Sequence, residues 1–232
     1  FRSARAEPDA EAVAETEVAT TPVRRFALLV GANDGGPERV RLRYATTDAD
    51  AVATVLKQIG GVRDSEMVML RDPTPEELDA AFEDLAQRVR EAAAAGMRTQ
   101  LLFYYSGHSD ERGLLLAGDR VQYPALRKRV QAIGADVKIA ILDSCASGAF
   151  TRSKGGTRRA PFLVGGGSKV EGHAFLTSSS ADEAAQESDR VGGSFFTHFL
   201  TTGMRGAADA DGDRYVTLTE AYRFAFDETL AR

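Results

Sequence analysis

The sequence predicts a three-layer α/β sandwich, with a mostly parallel central sheet covered by helices on both faces. Five short runs of apolar, β-branched and aromatic residues alternate with amphipathic helical segments. Strands that are almost continuously apolar are typical of a parallel sheet buried on both faces. The chain has 232 residues, of which 43% are hydrophobic, so it can bury one substantial core and is expected to form one main domain.

The amino-terminal half begins with a strand and a helix. The run "RFALLVGAN" at 25–33 ends in a glycine turn, and residues 48–61 then place apolar side chains at helical spacing. A short strand at 67–70 precedes a long helix. That helix opens with a capping box, Thr74 with Glu77, in which each residue satisfies a backbone amide of the other.

The carboxyl-terminal half continues the alternation. The remaining predicted elements are a third strand, 100–105, a helix, 123–135, a fourth strand, 137–142, a fifth strand, 173–180, and two closing helices, 194–203 and 218–231. Thr217 and Glu220 form a second capping box at the start of the last helix.

Residues 1–24 differ from the rest of the chain, because they are acidic, poor in apolar residues and without a clear period. We expect a flexible tail there and the folded domain over 25–232. Residues 4–6 ("ARA") have the small-x-small pattern left by signal peptidase, which favours export. Since no apolar segment precedes them in this chain, a cytoplasmic protein is the alternative.

Composition excludes several classes of protein. The net charge is −5 and the basic residues are mostly scattered, which argues against a nucleic-acid-binding surface. No apolar run reaches the roughly 18 residues of a membrane span. A single cysteine, Cys145, excludes an internal disulfide framework, and with only three histidines in the chain a structural zinc site is not expected.

A histidine and this cysteine follow two predicted strands. His108 comes just after the third strand and Cys145 just after the fourth. If these strands are neighbours, the two side chains meet at the carboxyl edge of the sheet, where ligands bind in open α/β folds. An imidazole there would take the thiol proton, and backbone amides, including that of Cys145, would receive the oxyanion. The alternatives are a surface histidine and a buried structural thiol.

The motifs "YYSGHSD" and "DSCASG" that surround these residues resemble the histidine and cysteine boxes of the caspase-like cysteine peptidases. The resemblance spans about 25–231 and is closest to the metacaspase and paracaspase branch, which includes many bacterial proteins. It implies a caspase-like fold and a cysteine endopeptidase, with His108 as general base and Cys145 as nucleophile. The family has glycine after the histidine, where its amide joins the oxyanion hole; here Ser109 holds that position.

The same resemblance implies a specificity for basic residues. Two acids line the S1 pocket in that branch and bind arginine or lysine at P1; they correspond here to Asp143, two residues before the cysteine, and Asp48, at the start of the first helix. Asp50 is the competing candidate for the second position. Asp48 as an acid stabilised by the helix dipole, and Asp143 as a cap, are the structural alternatives.

A long basic, glycine-rich loop lies between the fourth and fifth strands, at 151–172. In caspase-like peptidases this region carries processing sites, so the resemblance implies self-cleavage after a basic residue. The candidates are Arg152, Lys154, Arg158, Arg159 and Lys169. A solvated basic loop is the alternative.

An acidic segment near the carboxyl end, "DADGDRYVTLTE", resembles a calcium-binding loop. Asp209, Asp211, Asp213 and Glu220 occupy positions 1, 3, 5 and 12 of such a loop, but Arg214 stands where glycine is required. An acidic turn before a capping box is the simpler interpretation. No cofactor is required by the sequence, and calcium is left as an alternative.

Two functions follow. The first is an active endopeptidase whose partners are protein or peptide substrates with arginine, then lysine, at P1. The second is a catalytically silent caspase-like module that acts as a protein-interaction scaffold. An intact histidine and cysteine pair favours the first, because a scaffold has no chemical need for both.

Overall fold

A computed structural model describes residues 21–144, 172–178 and 187–232. It contains a five-stranded sheet in the order β2-β1-β3-β6-β7, in which every neighbouring pair is parallel. The strands of this sheet are β1 (Val23–Ala32), β2 (Met67–Arg71), β3 (Arg98–Gly107), β6 (Val137–Asp143) and β7 (Gly172–Thr177). The predicted third and fourth strands, now β3 and β6, are therefore neighbours.

Helices cover both faces of the sheet, which confirms the predicted three-layer α/β sandwich. They are α1 (Ala45–Gln58), α2 (Pro75–Ala94), α3 (Tyr123–Ala132), α4 (Phe195–Thr202) and α5 (Leu218–Leu230). Both predicted capping boxes are present, at Thr74 with Glu77 and at Thr217 with Glu220. A 3₁₀ turn precedes β2, and a π-helical turn at Gly203–Ala207 follows α4.

Two apolar cores separate the layers because successive side chains of a strand point to opposite faces. In β1, Phe26, Leu28 and Val30 belong to the core beneath α2 and α3. Ala27 and Leu29 belong to the core beneath α1, α4 and α5. All five are almost fully buried, which explains why this strand is continuously apolar in sequence.

Two small hairpins were not predicted. Strands β4 (Gly113–Leu116) and β5 (Asp119–Gln122) form one, and β8 (Glu187–Ser188) and β9 (Gly193–Ser194) form the other. The first turn holds Ala117 at φ 51°, a left-handed conformation that sequence rules assign to glycine or asparagine. Such short strands, joined by an atypical turn, leave little sequence signal.

The folded domain begins slightly earlier in the sequence than residue 25, the start expected from composition. β1 begins at Val23, inside the segment 1–24 that was expected to be a tail. Residues 1–20 lie outside the described part of the chain, and the flexible tail stays a prediction.

The topological switch point of the sheet, where strand order reverses, lies beside the predicted site residues. From β1 the chain crosses to β2 on one side and β3 on the other, so strand order reverses between β1 and β3. Loops diverge at such a point and leave a crevice at the carboxyl edge. His108 directly follows β3 at this edge, and Asp143 ends the neighbouring β6.

Close packing between β1 and α1 depends on Gly31. A Cβ atom there would lie 2.5 Å from the Thr46 Cα and 2.6 Å from the Ala45 carbonyl oxygen, both backbone atoms of the first turn of α1. We expect Gly31→Ala to lower the free energy of unfolding by about 1–3 kcal/mol, the usual cost of overpacking, measured by urea denaturation. Gly134→Ala is the matched control, because nothing lies within 4 Å of its added Cβ. Equal stability of the two variants would contradict the packing argument.

Candidate active site

The histidine of the site is held by a loop that follows β1. His108 Nε2 lies 2.7 Å from the Val40 carbonyl oxygen. A carbonyl only accepts hydrogen bonds, so Nε2 carries the proton and donates it. The Nδ1 atom of the neutral ring is therefore the basic nitrogen, and this is the form that a general base requires.

Gly35 lets the same loop approach the imidazole. A Cβ atom at this position would lie 2.5 Å from His108 Cδ2 and 2.6 Å from Cγ. A glycine is thus needed for the loop to pack against the ring face. The loop therefore fixes the ring by a hydrogen bond at its edge and by contact at its face.

Asp48 and Asp143 lie together beside His108. They are 3% and 2% exposed, and both line a pocket together with His108, which we call the acidic pocket. Its other lining residues are Leu42, Ser106, Gly107, Glu187 and Ser194. Its free volume of about 20 Å³ holds roughly one water molecule.

Ser194, the N-cap of α4, connects the two acids. Its backbone amide donates to Asp48 Oδ1 at 3.0 Å, and its hydroxyl donates to Asp143 Oδ2. The approach requires the glycine that precedes it, since a Cβ on Gly193 would lie 2.6 Å from Asp48 Oδ1. One residue at a helix start therefore sets the position of both carboxyl groups.

Further hydroxyl groups complete the shell around the pair. Ser106 donates to Asp48 Oδ2 at 3.0 Å, and Thr197 Oγ1 donates to Asp143 Oδ2 at 2.6 Å. Because Thr197 uses its hydroxyl proton for Asp143, its Oγ1 atom accepts a hydrogen bond from the Tyr104 hydroxyl. Asp143 Oδ1 is buried without a hydrogen-bond partner among the described residues, so one carboxyl oxygen of the pair has capacity left.

The two carboxyl groups resist ionisation. Burial, with the nearby charge of Asp143 as the second cause, raises the pKa of Asp48 to about 8. Burial also raises the pKa of Asp143, although hydrogen bonds from Ser194 and Thr197 oppose the rise. Two like charges in a desolvated site disfavour double ionisation, so the pair retains a proton near neutrality.

The structure distinguishes Asp48 from Asp50. Asp50 is half-buried and pairs with Arg71 away from the acidic pocket. Asp48, by contrast, faces Ser106 and Ser194. Within the described ranges, no lysine or arginine forms an ion pair with Asp48 or Asp143.

Sequence reasoning missed Glu187, a third acid that lines the acidic pocket. Its carboxylate accepts hydrogen bonds from the backbone amides of Arg43, at 3.0 Å, and Tyr44, at 2.9 Å. Asp189 strengthens the same connection, since it pairs with the Arg43 guanidinium at 2.6 Å and accepts from the Tyr44 hydroxyl at 2.7 Å. The β8–β9 hairpin is thereby fastened to the loop before α1.

The cysteine side of the site is described only up to Ser144. Ser144 is fully buried, its amide donates to Ser178 Oγ at 3.1 Å, and Ser109 Oγ donates to Ser144 Oγ at 3.0 Å. Cys145 lies outside the described residues. The register pairs Ser106 with Asp143, and His108 and Cys145 each follow two residues later in sequence.

The remaining predicted site residues are the basic candidates of the loop after β6 and the calcium candidates. The basic candidates Arg152 to Lys169 lie outside the described residues. Asp209, Asp211 and Asp213 bring carboxylate oxygens within 4.8 Å of one another, but the Glu220 carboxylate accepts from Thr217 in the capping box. Calcium binding stays a prediction.

No helix in the ranges 21–144, 172–178 and 187–232 combines the length and apolar character needed to cross a membrane.

Comparison with known proteins gives one family. The family model for the Caspase domain matches residues 24–228. The fold is similar to that of caspase-1 from Spodoptera frugiperda, with a TM-score of 0.62 and 16% identity over 90% of this chain and 79% of that one. It is also similar to pro-sf-caspase-1, with a TM-score of 0.52 and 15% identity over 89% and 79%. The sequence has no significant match among curated proteins.

The raised pKa of Asp48 makes a prediction about stability. Between about pH 4 and 8 the folded protein holds a proton at Asp48 that the unfolded chain releases, so stability falls as pH rises through this range. Asp48→Asn removes that ionisation and keeps the carbonyl that accepts from Ser194. We expect its Tm at pH 8.5 to exceed that of the wild type by on the order of 10 °C, with a much smaller difference at pH 5, measured by calorimetry. A wild-type Tm that rises from pH 5 to 8.5 by as much as that of the variant would contradict the assignment.

Proposed function

This chain belongs to the caspase domain family of cysteine peptidases, and we propose that it is an endopeptidase that cleaves after arginine and, less efficiently, after lysine. One observation carries the proposal. Two buried carboxyl groups lie beside His108 and line a pocket, and no lysine or arginine of the described chain pairs with them. Such an arrangement costs stability unless a cation from outside completes it.

The chemistry of the pocket favours a guanidinium. Its planar fork donates several hydrogen bonds, which suits Asp48 and the Oδ1 atom of Asp143, for which the described residues supply no hydrogen-bond partner. Lysine supplies a point charge without that fork, so we place it second. A P1 aspartate would face three acids, Asp48, Asp143 and Glu187, and would be rejected.

Binding requires the acidic pocket to widen, because its present volume admits only about one water molecule. Glu187 is the wall best suited to move, because it is only partly buried, whereas the two aspartates are almost fully buried. In our proposal the guanidinium occupies the widened pocket, and its positive charge balances the negative charge of Asp48 and Asp143.

The proposed reaction begins with proton transfer from the Cys145 thiol to His108 Nδ1. The thiolate sulfur attacks the carbonyl carbon of the P1 residue, and the oxyanion accepts hydrogen bonds from backbone amides, for which we propose those of Ser109 and Cys145. Collapse breaks the C–N bond, and His108 gives its proton to the leaving amine. Water, deprotonated by His108, then hydrolyses the thioester and restores the thiol.

The nucleophile is tested by Cys145→Ala, which should reduce turnover of arginyl peptides to background, with His108→Ala doing nearly the same. If the basic loop is a processing site, the wild type should also yield two fragments cut after Arg152, Lys154, Arg158, Arg159 or Lys169. The alanine variants should stay whole, as shown by mass spectrometry.

Normal turnover by purified Cys145→Ala protein would overturn the nucleophile assignment. A folded wild-type protein without activity on any basic peptide would instead favour the alternative, a catalytically silent interaction module. Circular dichroism of each variant separates loss of chemistry from loss of fold.

The specificity is tested with matched peptides that carry arginine or its neutral isostere citrulline at P1. Asp143→Asn should lower kcat/KM for the arginyl peptide by on the order of 100-fold, consistent with loss of a charged partner worth about 1.5–3 kcal/mol and some positioning. Since the pKa of Asp48 is about 8, the arginine-to-citrulline ratio in the wild type should rise about tenfold from pH 6 to pH 9. Effects of pH on steps that the two peptides share cancel in this ratio.

Asp50→Asn is the control for this test. Asp50 lies on α1, as Asp48 does, but it pairs with Arg71 and does not line the acidic pocket. We expect its arginine preference to be unchanged. An Asp143→Asn enzyme as selective as the wild type, or a preference for P1 aspartate, would show that the acids are structural.

A further inference from the structure

A second cavity lies at the opposite end of the sheet from the acidic pocket. Its volume is about 300 Å³, the lower end of the range for small-molecule sites. The first residues of β1 and β3 form its mouth, the sheet face forms its floor, and the carboxyl-terminal half of α1, the turn after α4 and the start of α5 form its walls.

The walls of this cavity are apolar but incompletely packed. Leu102 and Ile139 on the sheet and Met204 after α4 line it, and each is only partly buried although it belongs to the core on this face. Ile59, at the end of α1, also lines it and is 58% exposed. Apolar surface in a concave site of this size is stabilised by an apolar ligand.

Among the described residues that line the cavity, one is charged, Arg25 at its mouth. Its Nε donates to Gln100 Oε1 at 3.2 Å, and no carboxylate within the described chain pairs with it. The adjacent Arg24, which does not line the cavity, is paired with Glu66. The exposed guanidinium of Arg25 therefore has donors available beside an apolar space.

We propose that this cavity binds a small amphiphile with one carboxylate head group and an apolar chain of about eight to ten carbons. The estimate of length follows from the volume, which equals roughly ten water-sized groups. The apolar chain of the ligand lies between the sheet and α1. Its carboxylate pairs with the Arg25 guanidinium, which can bind both carboxylate oxygens through two parallel hydrogen bonds. Binding is non-covalent and does not depend on peptidase activity.

The probe for this proposal is decanoate, with decanol as its neutral counterpart, titrated calorimetrically into the full chain. We expect one decanoate per chain, with Arg25→Gln weakening its affinity about tenfold and leaving that of decanol unchanged. Ile139→Phe and Leu102→Phe, which fill the cavity from two strands, should each abolish binding of both molecules. Arg90→Gln is the charge control, since Arg90 lies on α2 across the sheet and contacts Gln87.

Several outcomes overturn the proposal. One is no decanoate binding, and another is binding that Arg25→Gln leaves unchanged. A third is binding that both cavity-filling variants retain while they keep the wild-type circular dichroism spectrum. Decanoate affinity that falls as protein concentration rises would show that a second copy of the chain covers the cavity instead.

Discussion

The site depends on two carboxyl groups buried side by side. Asp48 and Asp143 come from different elements, and each is almost fully buried. Burial and mutual repulsion both disfavour their charged forms, so donors are needed to hold them. Ser106, Thr197 and Ser194 supply these donors from β3, α4 and the N-cap of α4, and they thereby connect the sheet to α1 and α4.

The parallel sheet explains how these elements meet. Every strand ends at the same edge, and strand order reverses between β1 and β3, so α1 and the loop after β3 open onto one crevice. Two glycines permit the close approaches that this geometry requires. Gly31 allows β1 to touch the first turn of α1, and Gly193 allows β9 to reach Asp48. The acidic pocket is therefore a property of backbone packing as much as of its side chains.

Local patterns were sufficient to predict the sheet and both capping boxes, whereas the pairing of Asp48 with Asp143 was expected only from the resemblance of the motifs to the caspase-like peptidases. Glu187 could not be predicted in this way, because its partner Arg43 is 144 residues distant in sequence and no motif surrounds it. The choice between Asp48 and Asp50 also required the structure. Residues two apart on a helix point to different sides, so one acid enters the pocket while the other meets Arg71.

The buried pair of acids lowers the stability of the fold, and this cost is consistent with a role in binding a cation. A buried cation in the same chain would relieve the repulsion, yet the described residues provide none, and the proton held by Asp48 takes that role instead. A guanidinium that enters the pocket must therefore displace this proton, and its binding is linked to proton release. That linkage favours an arginine side chain, which stays charged at every pH where the pair ionises, over any cation whose own pKa lies close to that of the pair.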